Sequence, residues 1–161
     1  PETRSLLGEA LRENGDLAGS LAEHEAAVAL DPGSARYEAR RGRTLLAMGR
    51  KEEWAESIAR AESLDPGDPT VLMVKGISLA SRKKTATEAV AVLSAAVKAD
   101  PESAEAAAWL AVAQSKAKKK AEARASLEAA LGLNPWLAKA SWVADLAGEL
   151  GVEAAPPGTG K

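Results

Sequence analysis

Leu30-Asp31-Pro32 recurs along the chain as Leu64-Asp65-Pro66, Ala99-Asp100-Pro101 and Leu133-Asn134-Pro135. Successive prolines stand 34, 35 and 34 residues apart. A fixed period of this length marks one supersecondary unit stacked on itself. Stacked units present an extended surface, so the expectation moves from chemistry in a pocket to recognition.

Two further places in the period hold small residues. One set is Gly8, Gly42, Gly76 and Ala111, and the other is Ala27, Ala61, Ala96 and Ala130. The two marks lie 19 residues apart, except Gly76 and Ala96, which lie 20 apart. The third unit therefore carries one extra residue. The polar turn Arg82-Lys83-Lys84-Thr85 is its expected place, because a turn absorbs an insertion and a helix does not. The predicted units are 1–34, 35–68, 69–103 and 104–135, followed by a capping helix over 136–150, which together form one domain over 1–151.

Each unit reads as two helices. Leu6, Leu7, Ala10 and Leu11 form an apolar stripe at helical spacing. Asn14-Gly15-Asp16 breaks it, and Leu17, Leu21, His24, Ala27, Val28 and Leu30 resume it until Pro32, which cannot continue the amide ladder. Met48-Gly49-Arg50 and Ala117-Lys118-Lys119 are the matching breaks. Ser34, Ser103 and Asp68, the last followed by Pro69, are predicted N-caps. Small residues at Gly8 and its equivalents let two helices approach closely, with a small residue expected opposite at the twentieth place. Trp54 departs from that rule, and is read as filling a local gap or as an exposed anchor. After Pro135, the residues Trp136, Leu137, Ala140, Val143, Ala144, Ala147 and Leu150 form one more stripe, ending at Gly151. This helix is the predicted end cap, with Trp142 reaching back to the fourth unit. The segment 152–161 is predicted to be a disordered tail.

Composition supports this reading. Hydrophobic residues make up 46% of 161, yet only five are aromatic and none is Phe, so the core is built from Ala, Leu and Val. A formal net charge of −2 gives no general attraction to nucleic acid or an anionic membrane. No apolar run approaches the roughly 20 residues of a membrane span, and no signal peptide is visible. The chain starts at Pro1 rather than Met, which leaves room for a leader or an upstream domain. There is no cysteine, hence no disulfide and no thiolate metal site.

Leu7, Gly8, Leu11, Gly15, Ala27, Leu30, Asp31 and Pro32, with their recurrence through Pro135, make the chain resemble the tetratricopeptide repeat family. Arg4 and Glu38 stand where that family often has Trp, Arg41 and Lys75 replace its usual Leu, and Gln114 stands where the other units carry Leu. The resemblance implies an all-α, right-handed α-solenoid of four helix pairs plus a C-terminal cap. It also implies that the first helix of each pair lines a concave groove for a partner peptide or helix. The groove places here begin with Glu2, Ser5, Glu9 and Arg12, then Arg36, Ala39, Arg43 and Leu46. The third unit offers Thr70, Met73, Ile77 and Ala80, and the fourth Glu105, Ala108, Val112 and Ser115. Of these, Glu9, Arg12, Arg36, Arg43, Met73, Ile77, Ala108 and Val112 are the expected partner contacts. The first half of the groove is charged. The second half is an apolar patch expected to be exposed, which marks a contact unless it covers a neighbouring repeat, the cap or another copy of the chain. The Lys and Asn pattern with which one form of the family grips a C-terminal carboxylate is missing at the matching places, Ser5, Glu9, Arg40, Thr70 and Val74.

Other motifs carry less. His24 is the sole histidine. It reads as a core residue with a satisfied ring nitrogen, and it lacks the partners of a triad or a metal site. Pro156-Pro157-Gly158-Thr159-Gly160-Lys161 looks like part of the phosphate-binding loop of AAA-type ATPases, but lacks the strand before it and the helix after it. Lys83, Lys84, Lys118, Lys119 and Lys120 form a predicted basic edge. Helix-dipole complementarity explains much of that pattern; an RNA or an anionic protein is the alternative partner, disfavoured because no aromatic residues interleave the lysines. The expectation is a protein-interaction module, an adaptor or assembly factor, that is not an enzyme and uses no cofactor or metal.

Overall fold

The computed structural model describes residues 1–154. Among the described residues there are nine α-helices and no strand. Their contacts divide the chain into two compact units, one from Pro1 to Val74 and one from Lys75 onward.

The first unit contains α1 (Glu2–Glu13), α2 (Leu17–Leu30), α3 (Ala35–Ala47) and α4 (Lys51–Leu64), with the start of α5 (Pro69–Ala80). The second contains the rest of α5, then α6 (Ala86–Ala99), α7 (Ala104–Lys116), α8 (Lys120–Leu133) and α9 (Ser141–Leu150).

The turns follow from local chemistry. Gly15 at φ 85° and Gly49 at φ 75° take the left-handed conformation after α1 and α3. Lys118 takes it after α7 at φ 64°, a conformation that costs a residue with a Cβ. All three turns close with the same wrap-around bond: Asp16 N to Leu11 O, Arg50 N to Leu45 O and Lys119 N to Gln114 O, each 2.9 Å. The α5–α6 turn differs. The extra residue falls there as expected, and the chain takes a 3-10 turn over Lys83–Thr85, in which Thr85 Oγ1 donates to Leu79 O at 2.6 Å.

The recurring Asp or Asn before Pro also has a task. Asp65, Asp100 and Asn134 each accept the amide two residues on, at 2.9, 3.2 and 3.1 Å. The next helix is then capped. Ser34 accepts from Tyr37 N, Ser103 from Ala106 N, and Asp68 from Thr70 N and Val71 N, as the sequence predicts.

Close approach within a pair is set by the eighth place, but the residue opposite is not the one expected. A Cβ on Gly8 would lie 2.7 Å from the His24 ring, and one on Gly76 would lie 2.4 Å from Leu93. On Gly42 it would meet Ile58 at 3.2 Å. The partner is therefore the twenty-fourth place of the unit, not the twentieth. The helical period brings that side chain under the glycine. Ala27, Ala61, Ala96 and Ala130 are all fully buried.

The first unit has small apolar clusters. Ala27 and Val28 of α2 pack on Tyr37 of α3. Ala35, Ala39, Ile58, Ala61, Val71 and Val74 form another cluster, with Trp54 against it. Trp54 is thus a gap filler rather than an exposed anchor. The stripe on α1 is corrected: Leu6 and Leu7 are 54% and 48% exposed, while Ser5 and Gly8 are buried. At the matching places of α3 and α5, Arg40, Arg41 and Lys75 are half-buried and Val74 is fully buried. Among the described residues no helix covers that face of α1. Arg4 sits on the surface and pairs with Glu23 at 2.9 Å.

The second unit is sealed by α9. Val143, Leu146, Ala147 and Leu150 pack on Ala111, Ala123 and Leu127. The predicted cap is corrected at its start. Pro135–Lys139 is a 3-10 segment and the α-helix begins at Ser141, because Asn134 caps the Trp136 amide and starts a tighter turn. Ala144 is exposed, and Leu146 is the buried residue in its place. Gly151 ends α9 in the left-handed conformation as expected. The tail is corrected too: Val152 N donates to Ala147 O at 2.9 Å, and Val152 and Ala154 pack on the α9 cluster. The remainder of that segment, including the 156–161 motif, lies outside the described residues.

Candidate functional site

The structure brings together three of the charged groove residues of the first unit. Glu9 Oε2 lies 3.1 Å from Arg12 and 3.5 Å from Arg43. Its other oxygen lies 3.4 Å from His24 Nε2. These are half-buried to buried groups. Arg43 keeps only 8% of its side chain exposed, and His24 none. Burial alone would raise the Glu9 pKa. The contacts with His24, Arg43 and Arg12 outweigh it and hold the carboxyl at about 2. Burial, with Arg12 nearby, pushes the Arg43 guanidinium down to about 10, against the pull of Glu9, and leaves it cationic at neutral pH. Two guanidiniums thus face the Glu9 carboxylate, and Glu13, 3.8 Å from Arg12, adds a second negative charge. Arg36 stands apart, half exposed, 3.9 Å from Asp68.

His24 is buried as expected, but neither ring nitrogen makes a hydrogen bond. The satisfied ring nitrogen is therefore not found. Glu9 Oε1 faces Nε2 at 3.4 Å, a contact that helps lower the Glu9 carboxyl. The carboxylate that reaches it is Glu9 of α1, the residue next to Gly8, where the two helices touch.

Glu38 is a second group that the sequence concealed. It is fully buried in α3. Arg60 Nε lies 3.0 Å from one carboxylate oxygen and Arg41 lies 3.5 Å from the other. Ser57 Oγ donates to the Glu38 carbonyl at 2.8 Å and also lies 3.2 Å from its carboxylate. Ser20 and Thr44 share a buried hydroxyl pair at 2.9 Å.

The apolar half of the groove is corrected in its exposure. Met73 and Ile77 keep 8% and 9% of their surface, and Ala108 none. They are core side chains, since helices this rich in alanine leave few other large residues to fill the interior. Val112 is the exception, half-buried. It lines a cleft of about 360 Å³ in the second unit with Trp109, Lys116, Trp142, Asp145 and Glu149. Trp109 and Trp142 stack there, with ring centroids 4.7 Å apart and planes 20° apart, so Trp142 does reach back from α9 to α7.

A second hollow of about 370 Å³ adjoins this cleft, sharing Ser115, Lys116 and Glu149. Lys83 and Lys118 of the predicted basic edge line it. Lys84, Lys119 and Lys120 are exposed but do not line it, and Lys119 pairs with Glu122 at 3.1 Å. Among the described residues no group of His, Cys, Asp and Glu could hold a metal ion, and no helix is long and apolar enough to cross a membrane.

Two tetratricopeptide repeat models match the sequence, one over residues 36–68 and one over residues 82–136, together more than half of its 161 residues. The chain belongs to the tetratricopeptide repeat family. Its fold is accordingly an all-α solenoid of helix pairs.

Solved structures of the family share that fold. A thermophilic tetratricopeptide protein of Thermus thermophilus is 22% identical, over 93% of this chain and 82% of that one, with a TM-score of 0.73. PilW, a widely conserved type IV pilus biogenesis factor, is 21% identical over 92% and 72%, with a TM-score of 0.65. PilF of Pseudomonas aeruginosa is 24% identical over 92% and 68%, also with a TM-score of 0.65. At these identities the likeness speaks for the fold alone. Among curated proteins, none matches the sequence. Membership of the tetratricopeptide family supports a protein-interaction or scaffold role, and repeats of this family are generally non-catalytic.

Proposed function

We propose that this tetratricopeptide protein is an adaptor that holds a segment of a partner protein, and that the α7–α9 cleft is the part of its surface that grips it. The observation that carries this reading is the stacked indole pair in an open cleft. Trp109 and Trp142 are both half-buried, with Val112 beside them. Aromatic faces that stay partly exposed in a concave place supply large contact area at low entropic cost. Of the expected groove places, Val112 and Ser115 line this cleft, and Val112 is the one among the expected partner contacts. Met73, Ile77, Ala108 and Arg43 support the groove from within the core, and the Glu9 cluster fixes the conformation of the first unit.

The test is selection of a random peptide library displayed on phage against the whole chain, repeated on Val112→Glu. Recognition through the cleft requires peptides whose binding the variant weakens about tenfold or more, while its helicity by circular dichroism stays unchanged. Peptides that bind both proteins equally would remove the cleft from the account.

The lysine-edge alternative has one observation in its favour, the convergence of Lys83, Lys116 and Lys118 on one hollow. Against it, Lys116 Nζ is already donating to Ala80 O at 2.5 Å, and the Glu149 carboxylate lines the same hollow. No aromatic face lines it for a base to stack on. Binding of an RNA there would show a steep salt slope.

A further inference from the structure

We propose that the cleft selects partner segments carrying an arginine, with an acidic residue close to it in sequence. This rests on the recognition reading above and adds the chemistry of the partner.

The argument begins with two carboxylates. Asp145 and Glu149 are four residues apart on α9, so they stand one turn apart on the same face. Both are exposed, and both line the cleft. Ser115 Oγ donates to Glu149 Oε1 at 2.7 Å, which leaves the second oxygen for another donor. Asp145 makes no ion pair or hydrogen bond among the described side chains. The cation lining the cleft, Lys116, has its ammonium turned to the Ala80 carbonyl. A group entering the cleft therefore meets indole faces and two carboxylates.

Guanidinium fits that combination better than any other side chain. It is planar and weakly hydrated, it stacks on indole, and its forked donors match a carboxylate. A lysine would bring a strongly hydrated point charge with no plane to stack. A carboxylate would be repelled, and a purely apolar side chain would leave the acidic rim unanswered.

The adjoining hollow shares Glu149 with the cleft but adds Lys83 and Lys118, so its balance is positive. A segment seated in both hollows meets negative charge at one and positive charge at the other. Charge complementarity then asks for an acidic residue near the arginine, and disfavours a uniformly basic or acidic segment.

The experiment extends the phage selection to the double variant Asp145→Lys with Glu149→Lys. Both residues are exposed, and Asp145→Asn with Glu149→Gln serves as a milder pair should the first lose helicity. Selected peptides are then synthesised with arginine or with the neutral isostere citrulline, and measured by fluorescence anisotropy on the whole chain. The expected result is enrichment of arginine beside an acidic residue on the parent protein, loss of about tenfold in affinity with citrulline, and loss of arginine preference on either double variant. Peptides that need Val112 but accept citrulline within about twofold would overturn the arginine inference and leave the recognition reading standing. Peptides indifferent to Val112, or no enrichment over the unselected library, would overturn both.

Discussion

Where Leu93 and Leu127 fill the second unit, the first unit carries His24. The same contrast runs through both interiors. Ser5, Ser20, His24, Glu38, Arg43, Thr44 and Ser57 are buried in the first unit, whereas Ser78 and Gln114 are the buried polar residues of the second. One helix-pair plan therefore accepts two kinds of filling. An apolar core draws its stability from area removed from water. A polar core must find a partner for each group it buries. The first unit does so for the Ser20–Thr44 pair and answers the Glu38 charge with Arg60 and Arg41, but leaves Glu38 Oε1, Glu9 Oε1 and the His24 nitrogens without a hydrogen bond. Its stability should therefore depend on pH through Glu9.

The strongest way to break this comparison is to exchange its central residues. Leu127→His places an unpartnered imidazole in the sealed core under α9, and should cost about 4 kcal/mol in urea unfolding. The reciprocal His24→Leu removes two nitrogens without a hydrogen bond, but also the contact that helps keep Glu9 ionised, and should change stability by less than about 1 kcal/mol. A loss of similar size from both would show that His24 contributes through a bond the geometry lacks.

Close approach gives the next largest effect. Gly76→Ala drives a methyl into Leu93 and should cost about 2–3 kcal/mol. Gly8→Ala, against the His24 ring, should cost somewhat less, and Gly42→Ala, with its nearest neighbour at 3.2 Å, about 0.5 kcal/mol. Melting temperatures read by circular dichroism should rank the three in that order. Equal gains of about 0.5–1 kcal/mol from all three would mean that helix propensity, not packing, decides the eighth place.

Acid sharpens the contrast. The Glu9 carboxyl falls from its ordinary 4.5 to about 2 in the folded protein. A depressed folded value stabilises above the unfolded value and is lost as the pH falls through the folded one. The first unit should therefore lose about 2 kcal/mol between pH 5 and pH 2 through this group. Hydrogen exchange followed by unit should find amides of the first unit deprotected first, and Glu9→Gln should flatten that dependence. Parallel loss in both units would contradict it. The smallest effect is expected at Lys118, whose φ of 64° suits glycine. Lys118→Gly should raise stability by about 0.5 kcal/mol by relieving that strain.

Pro32 and its equivalents, the glycines of the turns and the Asp and Ser caps were readable because their reasons are local. A missing amide, a positive φ or an oxygen two or three residues from a free N–H acts on the chain's own neighbours, whatever packs outside. The extra residue at Arg82–Thr85 was readable for the same reason. The face of α1 was not. Leu6 and Leu7 have the spacing of a core stripe, but an apolar spacing does not say whether another helix is there to cover it. Glu38 stands out in the sequence only as a departure from the family's usual Trp, and the ion pair with Arg60 from α4 is what makes its burial tolerable.

The candidate surface divides in the same way. Glu9, Arg12 and Arg43 could be named from repeat places, but their mutual neutralisation requires side chains from different helices. Met73, Ile77 and Ala108 could be named as apolar, but not as covered. Asp145 and Glu149 were missed altogether. The one signal available was their spacing of four on a helix whose Trp142 was expected to reach α7. The period, the helix ends and the small-residue contacts thus belong to the sequence, because they arise from interactions a few residues long. Which faces are buried, which charges meet and where a cleft opens belong to the tertiary structure, because each depends on groups far apart along the chain coming within a few ångströms.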